Sequence, residues 1–514
     1  MKASAYIILS NASTLLAFSA QKPLSPQSHD PFTTDIDDFV TTAMSKWHMP
    51  GLAIGIVDGN ETYFQGYGYA SLPDAPVTRD TLWHGGSTTK AILDATLARI
   101  IHNQTYPTVS RGWKTRISDI IGDDFRLVDD WATRHITLED GASHRSGLPR
   151  HDLSWITAND SRSVRDIVRS LRFLPPSAEP RETFQYCNLM YVVLTGVLES
   201  ITGFDWWSAV TKVLLEPLGM ESTYSDLDLA ENSGKPVAKG YSWDGSSESY
   251  EPSPRRNFKE AFGAGAVVST VDDYLRWVRY VMDSGPVQDE LRAVRTPMAS
   301  TVLGAIPVGY SLGWMHSIIG GKKVWHHSGA TTSHTADVYW VPDLQWGFVS
   351  FCNSYNGNLA MESIALRLLD EKLGTPKEDR HEPPAVPDED DMDFIKEYYP
   401  DLTKARLPSP ISTDQLVGTY HDDGYGTLKV QWDGDKLVGI PVGMQHDFVF
   451  EHVSGEFWLG FIRLWAVGAR PAEAAGVQFT TAVDGRANAM KLTLTPPGSK
   501  TLGEGPVTFK RIGA

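Results

Sequence analysis

Apolar residues recur at the i, i+3, i+4 and i+7 spacing of an amphipathic helix between residues 36 and 47. Thr34 stands where it can cap this helix, and Pro50-Gly51 ends it. Residues 52–57 and 62–69 then read as two strands joined by an Asp-Gly-Asn turn, a typical hairpin signal. The chain therefore begins with a helix followed by a β-hairpin.

The same two patterns recur further along the chain. Residues 88–101 predict a second helix, and residues 338–341 and 347–352 predict paired strands, followed by a helix over 361–373. Strands at both ends of this segment enclose a largely helical middle. This order predicts an α+β domain over residues 32–373, with an antiparallel sheet assembled from both ends and a helical subdomain.

The pattern changes after residue 373. Residues 374–412 are rich in proline and contain the acidic run 388–391, which is typical of a linker. Residues 413–514 then alternate in short runs between turn residues, which predicts a small all-β barrel. The predicted strands are residues 417–420, 428–432, 437–440, 448–450, 457–459, 477–481 and 490–494. Within the first domain, residues 226–260 are a candidate lid or pocket-shaping insertion.

Composition argues against several classes of partner. The 514 residues are 41% hydrophobic and 21% charged, as in an ordinary globular protein. A net charge of −17 argues against binding to nucleic acid or an anionic membrane through bulk charge. Beyond the apolar stretch within residues 1–20, no segment approaches the roughly 20 continuous apolar residues that span a bilayer. The composition leaves the oligomeric state open.

The N-terminus predicts secretion. Residues 1–20 have the outline of a signal peptide, with Ala17-Phe18-Ser19 as a small-residue cleavage site. Three sequons support a secreted glycoprotein, and a cytoplasmic location is the alternative. They begin at Asn60, Asn103 and Asn159.

The segment His84-Gly85-Gly86-Ser87-Thr88-Thr89-Lys90 carries the first candidate chemistry. Ser87 and Lys90 lie three residues apart at the start of a predicted helix, so their side chains share one face. A lysine of lowered pKa can take the proton from a serine hydroxyl, and the helix N-terminus favours a developing oxyanion. In isolation, the same pattern also fits a helix cap followed by a solvated lysine.

Tyr186-Cys187-Asn188, directly before an apolar helix, is the second candidate. The phenol of Tyr186 normally titrates near 10. Beside a lysine ammonium it would lose its proton more easily and exchange protons with a serine. A buried tyrosine followed by a capping asparagine is the structural alternative.

The third candidate is the strand ending His326-His327-Ser328-Gly329-Ala330. A glycine between small residues lets backbone N–H groups approach a substrate oxygen closely. His326, His327, His334 and Asp337 also raise the question of a metal. Neighbouring histidines on a strand point to opposite faces, so we expect no metal and no cofactor.

The chain contains only two cysteines, Cys187 and Cys352, which excludes a cysteine zinc site and a disulfide framework. Whether these two cysteines form a single disulfide bridge is left open by the sequence.

The three segments in this order resemble the serine β-lactamase and penicillin-binding protein superfamily, in particular its class C β-lactamase and esterase branch. The resemblance covers roughly residues 32–372, and the C-terminal module is similar to a lipocalin-like domain. Supporting stretches are Ile136-Thr137-Leu138, His144-Arg145-Ser146-Gly147-Leu148-Pro149, Leu218-Gly219-Met220, Gly263-Ala264-Gly265-Ala266 and Tyr310-Ser311-Leu312-Gly313-Trp314.

The resemblance implies a role for each matching residue. Ser87 would be the acylated nucleophile, and Lys90 with Tyr186 the general base pair. Asn188 would orient Lys90 or the substrate amide. His327-Ser328-Gly329 would take the place of the family's Lys-Thr-Gly strand, and the N–H groups of Ser87 and Ala330 would form the oxyanion hole.

His327 departs from the family pattern, in which the strand lysine is a permanent positive charge. A histidine is mostly neutral at pH 7 unless its pKa is perturbed. We therefore expect a serine hydrolase acting on a small ester or amide. An acyltransferase of the same chemistry in secondary metabolism is the alternative. A β-lactamase, a D-amino-acid peptidase and a homologue that binds without turnover are weaker candidates. An α/β-hydrolase is excluded, because no Gly-x-Ser-x-Gly motif is present.

Overall fold

A computed structural model describes residues 30–155, 162–298, 302, 304–386, 393–403, 405–444, 446–464, 473–497 and 503–513. The predicted leader over residues 1–20, the sequon at Asn159 and the acidic run 388–391 lie outside these ranges. Among the described residues, no helix is long and apolar enough to cross a membrane.

Helices dominate the middle of the first domain. They are α1 (Thr34–Lys46), α2 (Thr89–Asn103), α3 (Ser118–Ile121), α4 (Asp130–His135), α5 (Leu138–Ala142), α6 (Val164–Ser170), α7 (Asn188–Thr202), α8 (Trp206–Val210), α9 (Glu216–Leu218), α10 (Leu227–Asn232), α11 (Val271–Met282), α12 (Pro286–Arg292), α13 (Asn358–Leu373), α14 (Phe394–Tyr398) and α15 (Thr413–Leu416). A π-helical turn, Thr211–Leu215, connects α8 to α9.

Strands occur at both ends of the first domain and throughout the second. They are β1 (Gly51–Asp58), β2 (Glu61–Ser71), β3 (Ala75–Pro76), β4 (Trp83–His84), β5 (Thr223–Tyr224), β6 (Tyr241–Asp244), β7 (Ser249–Pro252), β8 (Val268–Ser269), β9 (Ile306–Tyr310), β10 (Met315–Ile319), β11 (Lys322–Ala330), β12 (Thr335–Val341), β13 (Trp346–Cys352), β14 (Gly418–Asp422), β15 (Gly426–Asp433), β16 (Lys436–Pro441), β17 (His446–Ser454), β18 (Phe457–Leu464), β19 (Glu473–Thr481), β20 (Ala487–Thr493) and β21 (Val507–Ile512).

The first domain is built on an antiparallel sheet of order β3-β2-β1-β13-β12-β11-β10-β9. Its N-terminal strand β1 pairs with β13 from the far end of the domain. This arrangement confirms the predicted α+β fold, with a sheet assembled from both ends and a helical subdomain.

The central strand β1 is buried on both faces of the sheet. Leu52, Ile54 and Ile56 join the core formed with α1 and α13. The alternate residues Ala53 and Val57 join the core formed with α2, α7 and α11. Because successive strand residues point to opposite faces, a near-continuous apolar run is what a doubly covered strand needs.

The second domain is a closed barrel in which β14 to β21 pair in chain order and β21 returns to β14. The predicted small barrel is confirmed, and its up-and-down order is that of lipocalins. Strand β21 was not among the predicted strands, although Val507 and Phe509 alternate with polar residues there. It closes the barrel by pairing with both β14 and β20.

Two local details differ from or extend the sequence analysis. The cap of α1 is Thr33 and not Thr34, because Thr33 Oγ1 accepts the N–H of Ile36. The segment 226–260 contains α10 and the β6–β7 hairpin. Tyr241 joins that hairpin to the segment after β2, because its hydroxyl accepts the N–H of Leu72 at 2.8 Å. The role of this segment as a lid stays a prediction.

Candidate active site

Ser87 lies in a short 3-10 helix, Gly86–Thr88, that continues directly into α2. Two neighbouring hydroxyls hold this turn: Thr88 Oγ1 donates to Gly85 O at 2.8 Å, and Thr89 Oγ1 donates to Gly86 O at 2.7 Å. Thr88 and Thr89 are buried, whereas Ser87 is partly exposed. The local fold thus presents one hydroxyl of this run to the outside.

Lys90 points back toward that hydroxyl from the first turn of α2. Its Nζ lies 3.0 Å from Ser87 Oγ and donates to Ala264 O at 2.6 Å. Burial of Lys90 lowers its pKa well below the ordinary value, and the positive charge of Arg150 lowers it further. A neutral amine can accept the proton of a serine hydroxyl.

Tyr186 completes a triangle with Ser87 and Lys90. Lys90 Nζ lies 4.9 Å from the centroid of the Tyr186 ring, and the phenol hydrogen-bonds to Ser87. Burial raises the pKa of Tyr186 above its ordinary value, which outweighs the lowering by Ser87 and by Arg150. This corrects the expectation of an easily ionised phenol, because burial disfavours the phenolate more than its neighbours favour it.

Asn188 is the first residue of α7, and its amide nitrogen binds Asp152 rather than Lys90, while its alternative role of orienting the substrate amide stays a prediction. Its Nδ2 donates to Asp152 Oδ1 at 3.0 Å. Asp152 Oδ2 also lies 2.7 Å from Arg150 Nε. The amide is thus held by the charged loop that follows Pro149, a loop that sequence spacing could not place beside α7.

The end of strand β11 packs against the turn that carries Ser87. A Cβ on Gly329 would lie 2.0 Å from Gly85 O, so only glycine allows this approach. Gly86 has φ +51, and a Cβ there would lie 2.7 Å from Ala330 N. The contact brings the backbone of Gly329 and Ala330 alongside Ser87, as the predicted oxyanion hole requires. Ser328 and Ala330 are exposed at this edge.

His327 occupies the position of the family's lysine but is buried in the sheet. Its Nδ1–H donates to Ser328 O at 2.6 Å, and its Nε2 accepts from the Tyr310 hydroxyl at 3.0 Å. Burial, with a smaller contribution from Lys90, lowers the pKa of His327 to about 3. The imidazole is therefore uncharged at neutral pH.

The other histidines weighed as metal ligands have protein partners. His326 lies on the opposite face, stacked on Tyr339 with 5.2 Å between ring centroids. His334 Nε2 donates to Ala238 O at 3.1 Å. Within the described ranges, no group of three His, Cys, Asp or Glu side chains is placed to hold a metal. Cys187 and Cys352 are both buried and unbridged.

Three residues at the site were not predicted to act there. Arg150 lies over Tyr186, with 5.1 Å from its Cζ to the ring centroid. Asp152 binds Asn188 as described above, and His144 Nδ1 accepts the N–H of Cys187 at 3.0 Å. His144 belongs to a stretch that supported the family resemblance, but Arg150 and Asp152 lie outside every motif and gave no signal.

Two family models and several known proteins match this chain. The β-lactamase family model matches residues 36–371, and a domain of unknown function (DUF3471) matches residues 402–504. An unguisins hydrolase of Aspergillus campestris is 32% identical over 95% of this chain and 93% of its own length. An unguisins hydrolase of Aspergillus violaceofuscus is 33% identical over 87% of this chain and 86% of its own length.

Solved structures share the fold at low identity. The octameric penicillin-binding protein homologue from Pyrococcus abyssi is 19% identical with a TM-score of 0.58, covering 93% of this chain and 99% of that one. A D-amino acid amidase from Ochrobactrum anthropi is 18% identical with a TM-score of 0.53, covering 66% of this chain and 98% of that one. From the family match and these relatives, the chain belongs to the β-lactamase family and is a serine hydrolase.

Proposed function

We propose that this protein hydrolyses a small ester or amide through an acyl-enzyme formed on Ser87. The observation that carries the proposal is the 3.0 Å separation of Lys90 Nζ and Ser87 Oγ, with Lys90 buried and Ser87 partly exposed. A buried amine of lowered pKa is the base that an unactivated hydroxyl needs.

In the first half of the reaction, Lys90 takes the Ser87 proton while Oγ bonds to the substrate carbonyl carbon. The oxygen of that carbonyl becomes negative and accepts hydrogen bonds from the N–H groups of Ser87 and Ala330. When the carbon–leaving-group bond breaks, the leaving group takes a proton from the Tyr186 phenol. The Lys90 ammonium returns its proton to Tyr186, which leaves a neutral acyl-enzyme.

In the second half, water attacks the acyl carbon and gives one proton to Lys90. The bond to Ser87 Oγ breaks, and that proton returns to the serine. Both Lys90 and Tyr186 are then back in their neutral starting forms, consistent with the directions of their pKa values.

The absence of charge on His327 restricts the class of acyl group that the site favours. His327 supplies no permanent charge where the family's β-lactamases carry a lysine, which favours acyl groups without a nearby carboxylate. Two relatives at 32% and 33% identity over most of the chain are called unguisins hydrolases. Unguisins are therefore the substrates to test first.

The test compares wild type, Ser87→Ala and Ser247→Ala on a p-nitrophenyl ester and on an unguisin. Ser247 is an exposed serine in the β6–β7 turn and serves as the matched control. We expect Ser87→Ala alone to lose turnover and to lose the covalent mass shift produced by a fluorophosphonate. Unchanged turnover in Ser87→Ala would overturn the assignment. An ester product that grows with added acceptor alcohol, at the expense of acid, would indicate acyl transfer in place of hydrolysis.

A further inference from the structure

A strongly basic cavity of about 450 Å³ lies in the helical part of the first domain. Apart from Thr137, its lining side chains are cationic or imidazole groups. They are Arg111, Lys114, Arg116, His135, Arg145 and Arg181. In a chain with net charge −17, such a concentration of positive side chains around one cavity needs a reason.

The cavity walls are joined by backbone hydrogen bonds. Leu138 N donates to Thr115 O, and Ile117 N donates to Ile136 O, both at 3.0 Å. These bonds fix the loop that carries Arg111 and Arg116 against the junction between α4 and α5. On the opposite side, Arg181 Nη2 donates to His135 O at 2.9 Å. The cationic groups therefore project from a folded framework.

Two buried carboxylates of α5, Glu139 and Asp140, neutralise part of the positive charge that lines the cavity. Asp140 lies 2.7 Å from Arg145 Nε and 2.7 Å from Arg181 Nη2. Glu139 pairs with Lys114 and lies 3.1 Å from Arg145 Nη2. These ion pairs hold Lys114, Arg145 and Arg181 in place. They do not involve Arg111 or Arg116.

Arg111 and Arg116 have no carboxylate within ion-pair distance in the described part of the chain. Neither side chain donates a hydrogen bond to another described residue. The five cationic side chains exceed the two carboxylates beneath them by three charges. Guanidinium groups match carboxylate and phosphate oxygens in a bidentate geometry and stay charged at any working pH.

We propose that this cavity is a binding site for a small multivalent anion bearing phosphate or carboxylate groups, held mainly by Arg111 and Arg116. The volume lies within the range of small-ligand pockets and exceeds what a single monovalent ion needs. Two unpaired guanidiniums beside three anchored cations favour an anion with at least two charges. The site includes neither Ser87 nor Lys90, so the anion-binding proposal is tested independently of the hydrolase proposal.

The test is calorimetric titration of the full-length protein with inorganic pyrophosphate and, separately, with citrate. Sodium chloride at matched ionic strength is the reference for non-specific charge effects. We expect saturable one-to-one binding of at least one anion, with Kd below about 1 mM. Preference between the two titrants tells whether phosphate or carboxylate groups are recognised.

Arg111→Gln/Arg116→Gln is the variant that isolates the site, because neither arginine forms an ion pair within the described part of the chain. Arg406→Gln/Arg486→Gln removes the same charge from two exposed arginines of the linker and barrel and is the matched control. We expect the first variant to weaken binding at least tenfold and the control to bind as wild type does. An unchanged urea denaturation midpoint reports that the variant is folded. No saturable binding by wild type, or equal weakening in both variants, overturns the proposal.

Discussion

His151 of the catalytic domain and Tyr425 of the barrel are joined by a hydrogen bond, with 2.7 Å between Nδ1 and the phenol oxygen. Both side chains are buried, and His151 Nε2–H donates to Pro175 O at 2.9 Å. His151 stands between Arg150 and Asp152, the two residues that contact Tyr186 and Asn188. The barrel thus contacts the loop that borders the candidate active site.

Replacing Tyr425 by Phe removes the partner of a buried imidazole nitrogen. We expect the free energy of unfolding to fall by about 1–3 kcal/mol, the usual cost of an unsatisfied buried polar group. Urea denaturation measures this change. Tyr69→Phe, at an exposed tyrosine of β2, is the control and should change stability little. Equal stability of both variants would mean that the bond contributes nothing.

The Tyr425 phenol has one proton but two neighbours, since its oxygen also lies 2.9 Å from Glu504 Oε2. Burial lowers the pKa of His151, so the neutral ring accepts the phenol proton at Nδ1. Glu504 Oε2 also accepts from the Tyr425 hydroxyl, so the single phenol proton serves the two acceptors only in turn unless Glu504 carries a proton of its own. Burial, with the negative charge of Asp152, raises the pKa of Glu504 to about 7, although the Tyr425 hydroxyl, the His151 N–H and Arg150 lower it.

Glu504→Gln should therefore change how stability depends on pH. The folded protein keeps the Glu504 proton between the ordinary pKa of 4.5 and about 7, where the unfolded chain has lost it. The contribution of Glu504 to the free energy of unfolding is therefore fully present below pH 4.5 and is lost as pH rises through about 7. We expect the variant to exceed wild type by about 1–3 kcal/mol near pH 8 and to match it near pH 5.

Urea denaturation across this pH range is the measurement, with Glu451→Gln at an exposed position of β17 as the control. A difference between Glu504→Gln and wild type that is constant with pH would contradict the assigned protonation.

Gly329→Ala should disturb the contact between β11 and the Ser87 turn. The new Cβ would lie 2.0 Å from Gly85 O and 3.2 Å from Ser87 N, so the two backbones must separate. Loss of one oxyanion donor typically costs about 10²–10³ in kcat, and we expect a loss of that order on a p-nitrophenyl ester. Gly245→Ala, where nothing lies within 4 Å of the added Cβ, should retain full turnover. Full activity in both variants would remove Gly329 from the site.

His327→Gln tests whether the histidine acts as a charge. Because its pKa is lowered to about 3, His327 is neutral throughout the working range. We expect the pH profile of kcat/KM between about pH 5 and 8 to keep its shape in the variant. If His327 were a cation replacing the family's lysine, an ionisation in that range would disappear from the profile.

Tyr186→Phe removes the proposed proton donor to the leaving group and keeps the ring. We expect turnover to fall by about 10²–10⁴, the usual contribution of general acid–base catalysis. Tyr69→Phe again serves as the control. A loss of less than about tenfold would contradict the role of the phenol.

Local order along the chain was largely predictable. The spacing of apolar residues indicated α1, β1, β2 and α2 because burial on one face repeats at the period of the element itself. The sequence also identified Ser87, Lys90 and Tyr186, which the fold brings together although Tyr186 lies about 100 residues away. The order of the three motifs carried that inference.

Contacts made by isolated polar residues were not predictable. Asn188 pairs with Asp152 because the loop after Pro149 folds back against α7. The spacing of apolar and polar residues along the chain does not predict this contact between the loop and α7. Likewise, Tyr425 and His151 meet across 274 positions of sequence, where neither lies in a recognisable motif.

The sequence by itself therefore determined the elements, the α+β and barrel architecture and the candidate hydroxyl, amine and phenol. Only the tertiary structure decided their pKa values. The pKa of Lys90 is lowered and that of Tyr186 is raised because burial removes the water that stabilises charge, and the positive charge of Arg150 disfavours a second cation nearby. Desolvation depends on every neighbour in space, so residue types and their spacing along the chain do not specify it.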